Sequence, residues 1–392
     1  MLILVSLFFL TLPFPYSGFP NFAEIIAPIF EGIASFWAES VFGLSGKYTI
    51  KLISDSTGLY LHLITLSIIS LLSLRLSVFA RKKNIPVDRF LYGIVLFFLI
   101  LHLAKYGFDK VFKHQFYFPE PNTQFTPVGH LSKDILYWSA IGSSYSYNVA
   151  MGILELIPAV LLLFRRTRLL GGLIAVGVMS HIVVLNFSFD ISVKVFSMML
   201  LLASVLIIMP WGKMLFRFFI KGIITSGKAI SKMGNSPSRV WNATKIIAIF
   251  LILTESLFPY VRASRYNGDS AQKVYLHGAY KVESWVQNGD SLAAVKRIFI
   301  HKDRYLIFQY QDDYMRDMRF DWGWGEVEPF FDLGKNGQLE QTWDEASSSL
   351  TLSGFLGKDT VLIVGKRIDL ERLPIADDSF HWTMDHYFND TY

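Results

Sequence analysis

Apolar residues along this chain are grouped into long runs separated by short polar stretches. Seven runs stand out: Leu2–Tyr16, Gly58–Ala80, Phe90–Phe108, Tyr145–Phe164, Leu169–Phe187, Ile191–Trp211 and Thr244–Tyr260. A helix of about 20 apolar residues matches a hydrocarbon core of about 30 Å. The pattern therefore predicts an α-helical polytopic membrane protein with about seven spans. After Arg262 the pattern changes. Short aromatic and β-branched segments, such as "YKVESWVQNGDSL", "RIFIHKDRYLIFQYQDD" and "DTVLIVGKRIDL", alternate with Asn-Gly, Lys-Asp and Gly-Lys turn signals. That predicts an antiparallel β meander of seven to nine strands, folded either as a two-layer sheet or as a small closed barrel.

Basic residues orient the spans. "RKKN", "RRTR" and the long "WGKMLFRFFIKGIITSGKAISKMGNSPSRV" all fall on one side if every run crosses. Lys and Arg concentrate in cytoplasmic loops. The amino terminus is then cytoplasmic and everything after Tyr260 lies outside. In a bacterial cytoplasmic (inner) membrane, that outside is the periplasm. The opening "MLILVSLFFLTLPFPYSGFP" has neither a basic start nor a small-residue cleavage site, so it reads as a retained span.

Two further segments read as interfacial. In "NFAEIIAPIFEGIASFWAESVFG", Glu24, Glu31, Ser35 and Glu39 share roughly one helical face. The 213–240 linker sets Lys213, Arg217, Lys221, Lys228 and Lys232 among apolar residues, which suits either a basic connector or a helix on cytoplasmic headgroups. The chain divides accordingly into 1–84 (first spans and outer helix), 85–212 (helical membrane core), 213–261 (amphipathic linker and last span) and 262–392 (β domain).

Composition narrows the function classes. The 392 residues are 52% hydrophobic with 34 Phe, and the formal charge of +5 sits in the loops. The charge thus follows membrane topology, and no nucleic-acid motif competes with that reading. There is no cysteine, so a dithiol relay, a disulfide framework, a cysteine-ligated cluster and a thiol nucleophile are excluded.

Candidate chemistry lies where charge meets the apolar runs. His102, Lys105, Tyr106, Asp109, Lys110 and Lys113 form one stripe on a helix. A charge facing lipid costs at least about 2.5–3.5 kcal/mol, so the stripe must face other helices, a watery cavity or the outer interface. Complementary groups occur on neighbouring runs: Asn148 and Glu155 on the fourth, His181 on the fifth, and Asp190 and Lys194 at the start of the sixth. One reading joins Lys110, Glu155, Asp190 and Lys194 in a single paired polar site. The other lets Lys110 and Lys194 extend to the interface while Asp109 and Asp190 cap helix ends. A metal site made of His102, Glu155 and His181 has no ligand motif behind it.

The stretch "SYSYNVAMGILELIPAVLLLFRRTRLLGGLIAVGVMSHIVVLNFSFDISVKVFSMMLLLASVLIIMP" resembles the DoxX-like membrane proteins, in particular the large bacterial branch with a carboxy-terminal extracytoplasmic domain. "KYGFDKVFKHQFYFP" and "FHWTMDHYFND" also resemble that branch. The resemblance implies a four-helix core made here by spans three to six, with recurrent polar positions at Lys110, Glu155, Arg165, Asp190 and Lys194. It implies little about activity beyond a subunit of a thiosulfate:quinone oxidoreductase. "HGAYKVESWVQNG" is similar to the opening strand of lipocalin-like barrels.

These observations support a membrane component of a larger assembly with a buried polar site open to the outer side. Its partners would be the lipid bilayer and other membrane or periplasmic proteins. The alternative is a subunit of a quinone-linked oxidoreductase, with quinone as cofactor and Lys110, Lys194 and Glu155 handling an anionic substrate or protons. A small-molecule transporter fits less well, because neither an inverted repeat nor a pair of broken helices is visible.

Overall fold

The computed structural model describes residues 1–12, 14, 22–46, 48, 54–83, 85–223, 239–292, 294–324 and 329–377. The terminal "FHWTMDHYFND", Lys228, Lys232 and the side chain of Glu24 lie outside the described residues. The chain forms two compact units: residues 1–115 with 146–268, and residues 116–145 with 269–392.

The first unit is helical. Its elements are α1 (Leu2–Thr11), α2 (Phe22–Ser40), α3 (Thr57–Lys82), α4 (Val87–Val111), α7 (Tyr145–Leu163), α8 (Arg168–Ser188), α9 (Lys194–Ile208), α10 (Gly212–Phe219), α11 (Arg239–Ser256) and α12 (Phe258–Ala263). Two helices of the other unit, α5 (Pro121–Gln124) and α6 (Lys133–Gly142), fall between α4 and α7 in the chain. Five helical stretches among the described residues are long and apolar enough to cross a membrane: Thr57–Arg75, Val87–Val111, Tyr145–Leu163, Arg168–Ser188 and Lys194–Phe219. A bent pair, Ala243–Ser256 with Phe258–Ser270, makes a sixth if it counts as one span.

The expected count of seven is therefore reduced, and proline accounts for both changes. Leu12 stands before Pro13 and is extended (φ −77°, ψ 122°), as the residue before a proline tends to be. Helix α1 stops there after 10 residues, about 15 Å. Its Val5, Phe8 and Phe9 are buried against Leu99 of α4 and Phe196 of α9, so its apolarity is that of a core helix. At the other end of the unit, Pro259 cannot donate an amide proton. The helix ends at Ser256 and restarts at Phe258 with a 44° bend. Helix α2 forms as expected and buries Ala34 and Ala38 against Leu61, while Ile25, Ile29 and Phe36 are exposed.

The second unit is an antiparallel, nearly closed barrel. Its strands are β1 (Gly278–Gln287), β2 (Asp290–Ser291), β3 (Val295–His301), β4 (Tyr305–Tyr310), β5 (Met315–Arg319), β6 (Asp321–Trp324), β7 (Pro329–Asp332), β8 (Gly337–Asp344), β9 (Ser349–Leu356) and β10 (Asp359–Arg367). The sheet order is β5-β4-β3-β1-β10-β9-β8-β7-β6, with β2 on β1. Apart from β2–β3 and β5–β6, chain neighbours are sheet neighbours, and the first and last strands pair from Tyr280↔Arg367 to Gln287↔Val361. Only Phe320 separates β5, which pairs with β4, from β6, which pairs with β7. One bent stretch, 315–324, thus serves both ends of the sheet, and the Phe320 amide donates to the Arg304 carbonyl at 2.9 Å. The described residues thus build eight staves from ten strands, one strand more than the upper end of the expected seven to nine. Asn288 and Gly289, read as a turn, both have positive φ (53° and 92°), the conformation a two-residue hairpin requires.

Alternate side chains give the barrel two apolar faces. Tyr280, Trp285, Phe308, Phe320 and Phe331, with Leu, Ile and Val neighbours, occupy the interior. On the opposite face Ala279, Phe299 and Ile307 are covered by the 116–145 insert, where Phe125 stacks on Phe299 at 5.9 Å. Gln309 is fully buried on that face and donates to the Phe125 carbonyl at 3.0 Å.

Phe331 is fully buried inside the barrel, whereas Phe355 is 55% exposed. Phe331→Ala should cost about 3–5 kcal/mol. Phe355→Ala should cost within about 0.5 kcal/mol. Denaturant melts of the purified protein followed by tryptophan fluorescence check the contrast. Equal losses would mean that the interior assignment is wrong.

Candidate functional site

Helix α4 is the hub of the helical unit. It packs on α1, α3, α9 and α11, and it meets α7 at a pair of glycines. A Cβ on Gly107 would lie 2.7 Å from Leu156 Cγ, and one on Gly152 would lie 2.6 Å from the Gly107 carbonyl oxygen and 2.8 Å from the Val111 nitrogen. The two backbones touch there, as small residues allow. Lys110 lies three residues beyond Gly107, and Glu155 three beyond Gly152. The contact brings the two charges together.

Lys110 Nζ is 2.9 Å from Glu155 Oε1 and 3.0 Å from Oε2. It also donates to Gln115 Oε1 at 2.9 Å, and it lies 5.6 Å from the Tyr106 ring centroid. Three oxygens thus meet the three protons of the ammonium. Lys110 and Glu155 are both buried. Lys105 pairs with the fully buried Glu255 of α11 at 3.3 Å. The Tyr260 hydroxyl of α12 donates to Asp109. Charges removed from water survive only if they are paired and hydrogen-bonded, and these are.

His102 plays a different part. Its ring lies among Phe9, Phe14, Phe98 and Phe196, with centroids 4.9–6.1 Å away. Its Nδ1–H donates to the Phe98 carbonyl at 2.7 Å. Asn148 is fully buried on α7.

The expectation of one buried site holding Lys110, Glu155, Asp190 and Lys194 needs correction. Lys194 pairs with Asp190 at 2.7 Å and with Asp55 at 3.8 Å, but the Asp190 side chain is 84% exposed while Glu155 is 5% exposed. Asp190 lies at the surface in the turn between α8 and α9, four residues before Lys194, and it shares no buried environment with Glu155. His181 is exposed on α8 whereas His102 and Glu155 are buried, so these three do not converge on a metal. Arg165 is likewise exposed.

Four partners escaped the sequence reading: Gln115, Glu255, Tyr260 and Asp55. Glu255 carried a usable signal, a carboxylate inside an apolar run, which is the property that singled out Glu155. Asp55 carried none. Its two oxygens accept from the Lys194 and Val195 amides at 2.9 and 3.1 Å, so it caps α9 from a distant part of the chain.

The chain is similar to the uncharacterized protein YwoB of Bacillus subtilis (strain 168), with 30% identity over 129 residues, 33% of this chain and 78% of YwoB. This chain belongs to the YwoB family. No family model matches it, and no solved structure matches it. The likeness to YwoB extends over a third of the chain, and YwoB itself carries no assigned activity in its name.

Removing the Glu155 carboxylate strands a buried ammonium. Glu155→Ala should destabilise the protein in detergent by about 3–5 kcal/mol, and Lys110→Met with Glu155→Leu should recover most of that loss. Melting followed by tryptophan fluorescence reads both variants. A double variant as unstable as the single one would show that the loss comes from packing and not from the unpaired charge.

Proposed function

We propose that this chain is a multi-pass protein of the bacterial inner membrane that serves as a membrane component of a larger assembly. In this reading α4, α7, α8 and α9 form a DoxX-like four-helix core, and the barrel unit lies outside the cytoplasm. The observation that carries it is the saturation of Lys110 by Glu155 and Gln115 through direct contacts. A cation held in this way binds helices together. The direct pair favours this reading over a quinone-linked oxidoreductase subunit, in which Lys110, Glu155 and Lys194 would together receive an anionic substrate.

The orientation is supported by connectivity. The chain passes between its two compact units three times, at 115/116, 145/146 and 268/269. The end of α4, the start of α7 and the end of α12 are therefore all tied to one body. The basic loops at 81–83, 165–168 and 213–221 join the opposite helix ends. Concentration of Lys and Arg at those ends suits the cytoplasmic side.

A reporter that is active only in the cytoplasm should be silent when fused after Tyr392 and active when fused after Arg166. A bright signal after Tyr392 would overturn the orientation. Affinity purification of the full chain in mild detergent should return a protein partner in fixed ratio. A chain that comes out alone with a quinone would shift the reading to the oxidoreductase subunit.

A further inference from the structure

The barrel unit holds a second cluster of titratable groups, away from the helical site. Glu120 of the insert is a buried carboxylate facing the barrel. Its Oε2 accepts from His277 Nε2 at 2.9 Å and from the Lys302 amide at 3.3 Å. The Lys302 ammonium is 3.6 Å from Oε1 and sits over the Tyr117 ring at 2.9 Å from the centroid. His301 Nε2 points at the same carboxylate from 3.9 Å.

We propose that Glu120 and His301 form a pH-sensitive latch, which fastens the 116–145 insert to the barrel at neutral pH and releases it on acidification.

The argument rests on the other nitrogen of His301. The Asp303 amide donates to His301 Nδ1 at 3.0 Å. An amide can only donate, so Nδ1 is unprotonated and Nε2 carries the hydrogen that faces Glu120. A second proton can enter the ring only at Nδ1. Its arrival turns the acceptor into a donor and breaks the bond to the Asp303 amide. The Asp303 carboxylate on the same turn is an acceptor whose Oδ2 lies 3.8 Å away, so the His301–Arg304 turn must rearrange to reach it. That turn supplies both the Lys302 amide and the Lys302 ammonium to Glu120.

The other charges around the cluster pull on the ring in both directions. Lys302 and His277 place positive or protonatable groups beside the ring, and they oppose a second positive charge there. Asp303 and Glu120 favour that charge, and burial opposes it. The His301 ring contacts Tyr305 at 6.0 Å, and the next turn residue, Arg304, pairs with Asp321 at 3.0 Å. Asp269 accepts from the Phe118 amide at 2.7 Å, and Arg367 donates to the His277 carbonyl at 3.2 Å.

Burial holds the His301 imidazole below its ordinary value, although Glu120 and Asp303 pull it up. Burial pushes the Glu120 carboxyl up, but the His277 hydrogen bond and the His301, His277 and Lys302 charges outweigh it and leave the carboxyl below its ordinary value. Both groups take protons more readily once detached. The latch is therefore fully closed above the free histidine value of about 6.5, and it weakens as pH falls towards the carboxylate range near about 4. That the sensed pH is the one outside the cytoplasm rests on the orientation proposed above. The latch itself does not rest on it.

Hydrogen–deuterium exchange of the full chain in detergent tests the proposal, at about pH 7.5 and about pH 5 with intrinsic rates corrected. Peptides from 116–145 should exchange several-fold faster at the lower pH, while β8–β9 peptides hold their protection. In His301→Asn the side-chain oxygen still accepts from the Asp303 amide but cannot take a proton, so the acid response of the insert should flatten. The proposal is overturned if wild type shows no acid response, if β8–β9 loses protection equally, or if His301→Asn responds as wild type does. Should that variant not fold, exchange at the imidazole C2 of wild type gives the His301 midpoint directly. A midpoint below about 6.5 that coincides with insert release supports the latch, and a midpoint at or above it overturns the latch. Reporter fusions read the orientation separately, so the two proposals can fail independently.

Discussion

The placement of α7, α11 and α12 in the helical unit depends on how α4 disposes of its charges. The helix carries Lys105, Asp109 and Lys110 into an apolar surrounding, and each must meet a partner where it stands. Lys110 requires α7 because Glu155 is there. Lys105 requires α11 for Glu255, and Asp109 requires α12 for the Tyr260 hydroxyl. Apolar packing alone does not discriminate among neighbours in a lipid layer, since tails are as apolar as leucine. The polar stripe supplies that discrimination. It fixes α7, α11 and α12 against α4, and the Gly107–Gly152 contact lets the Lys110–Glu155 link close.

The same logic explains why the charges come in pairs with little to spare. An ammonium with a carboxylate and an amide oxygen has its protons committed. A site built to receive an anion would leave such a cation with a vacant direction. Lys110 is of the first kind, which is why the buried pair speaks for holding helices together. His102 is held by aromatic rings and one backbone carbonyl, and it fills a gap between α1, α4 and α9.

Much of this was legible in the chain, and the misses have physical causes. Periodicity shows which face of a helix is polar, so the stripe, and Glu155 as a candidate partner for it, could be read directly. It does not show which neighbour a face meets. His181 sits inside an apolar run yet faces outward, and Asp190 follows α8 at the surface. The first run falls short of a span where Pro13 follows α1, and the last is bent at Pro259, because an apolar run reads the same whether or not a proline interrupts its backbone. The strands were legible from turn chemistry, with Asn288-Gly289 the clearest case. Closure at Phe320 was not, because a bent strand that changes partners reads as two short ones.

The largest departure concerns the insert. A boundary at residue 262 follows the change from helix-like to strand-like patterning, and it treats the β region as an appendage to the last span. Residues 116–145 nevertheless belong with the barrel. Their Phe125 covers Phe299, their backbone meets the buried Gln309, and their Glu120 gathers His277 and Lys302. Patterning could not reveal this, since the insert is a short aromatic and polar stretch between two apolar helices and looks like a loop. The barrel unit is therefore assembled from two separated parts of the chain, with membrane-competent helices between them. It can be completed only after α7, α8, α9 and α11 have been made. A protein whose barrel must wait for its helices in this way couples the assembly of the barrel to the completion of the bundle.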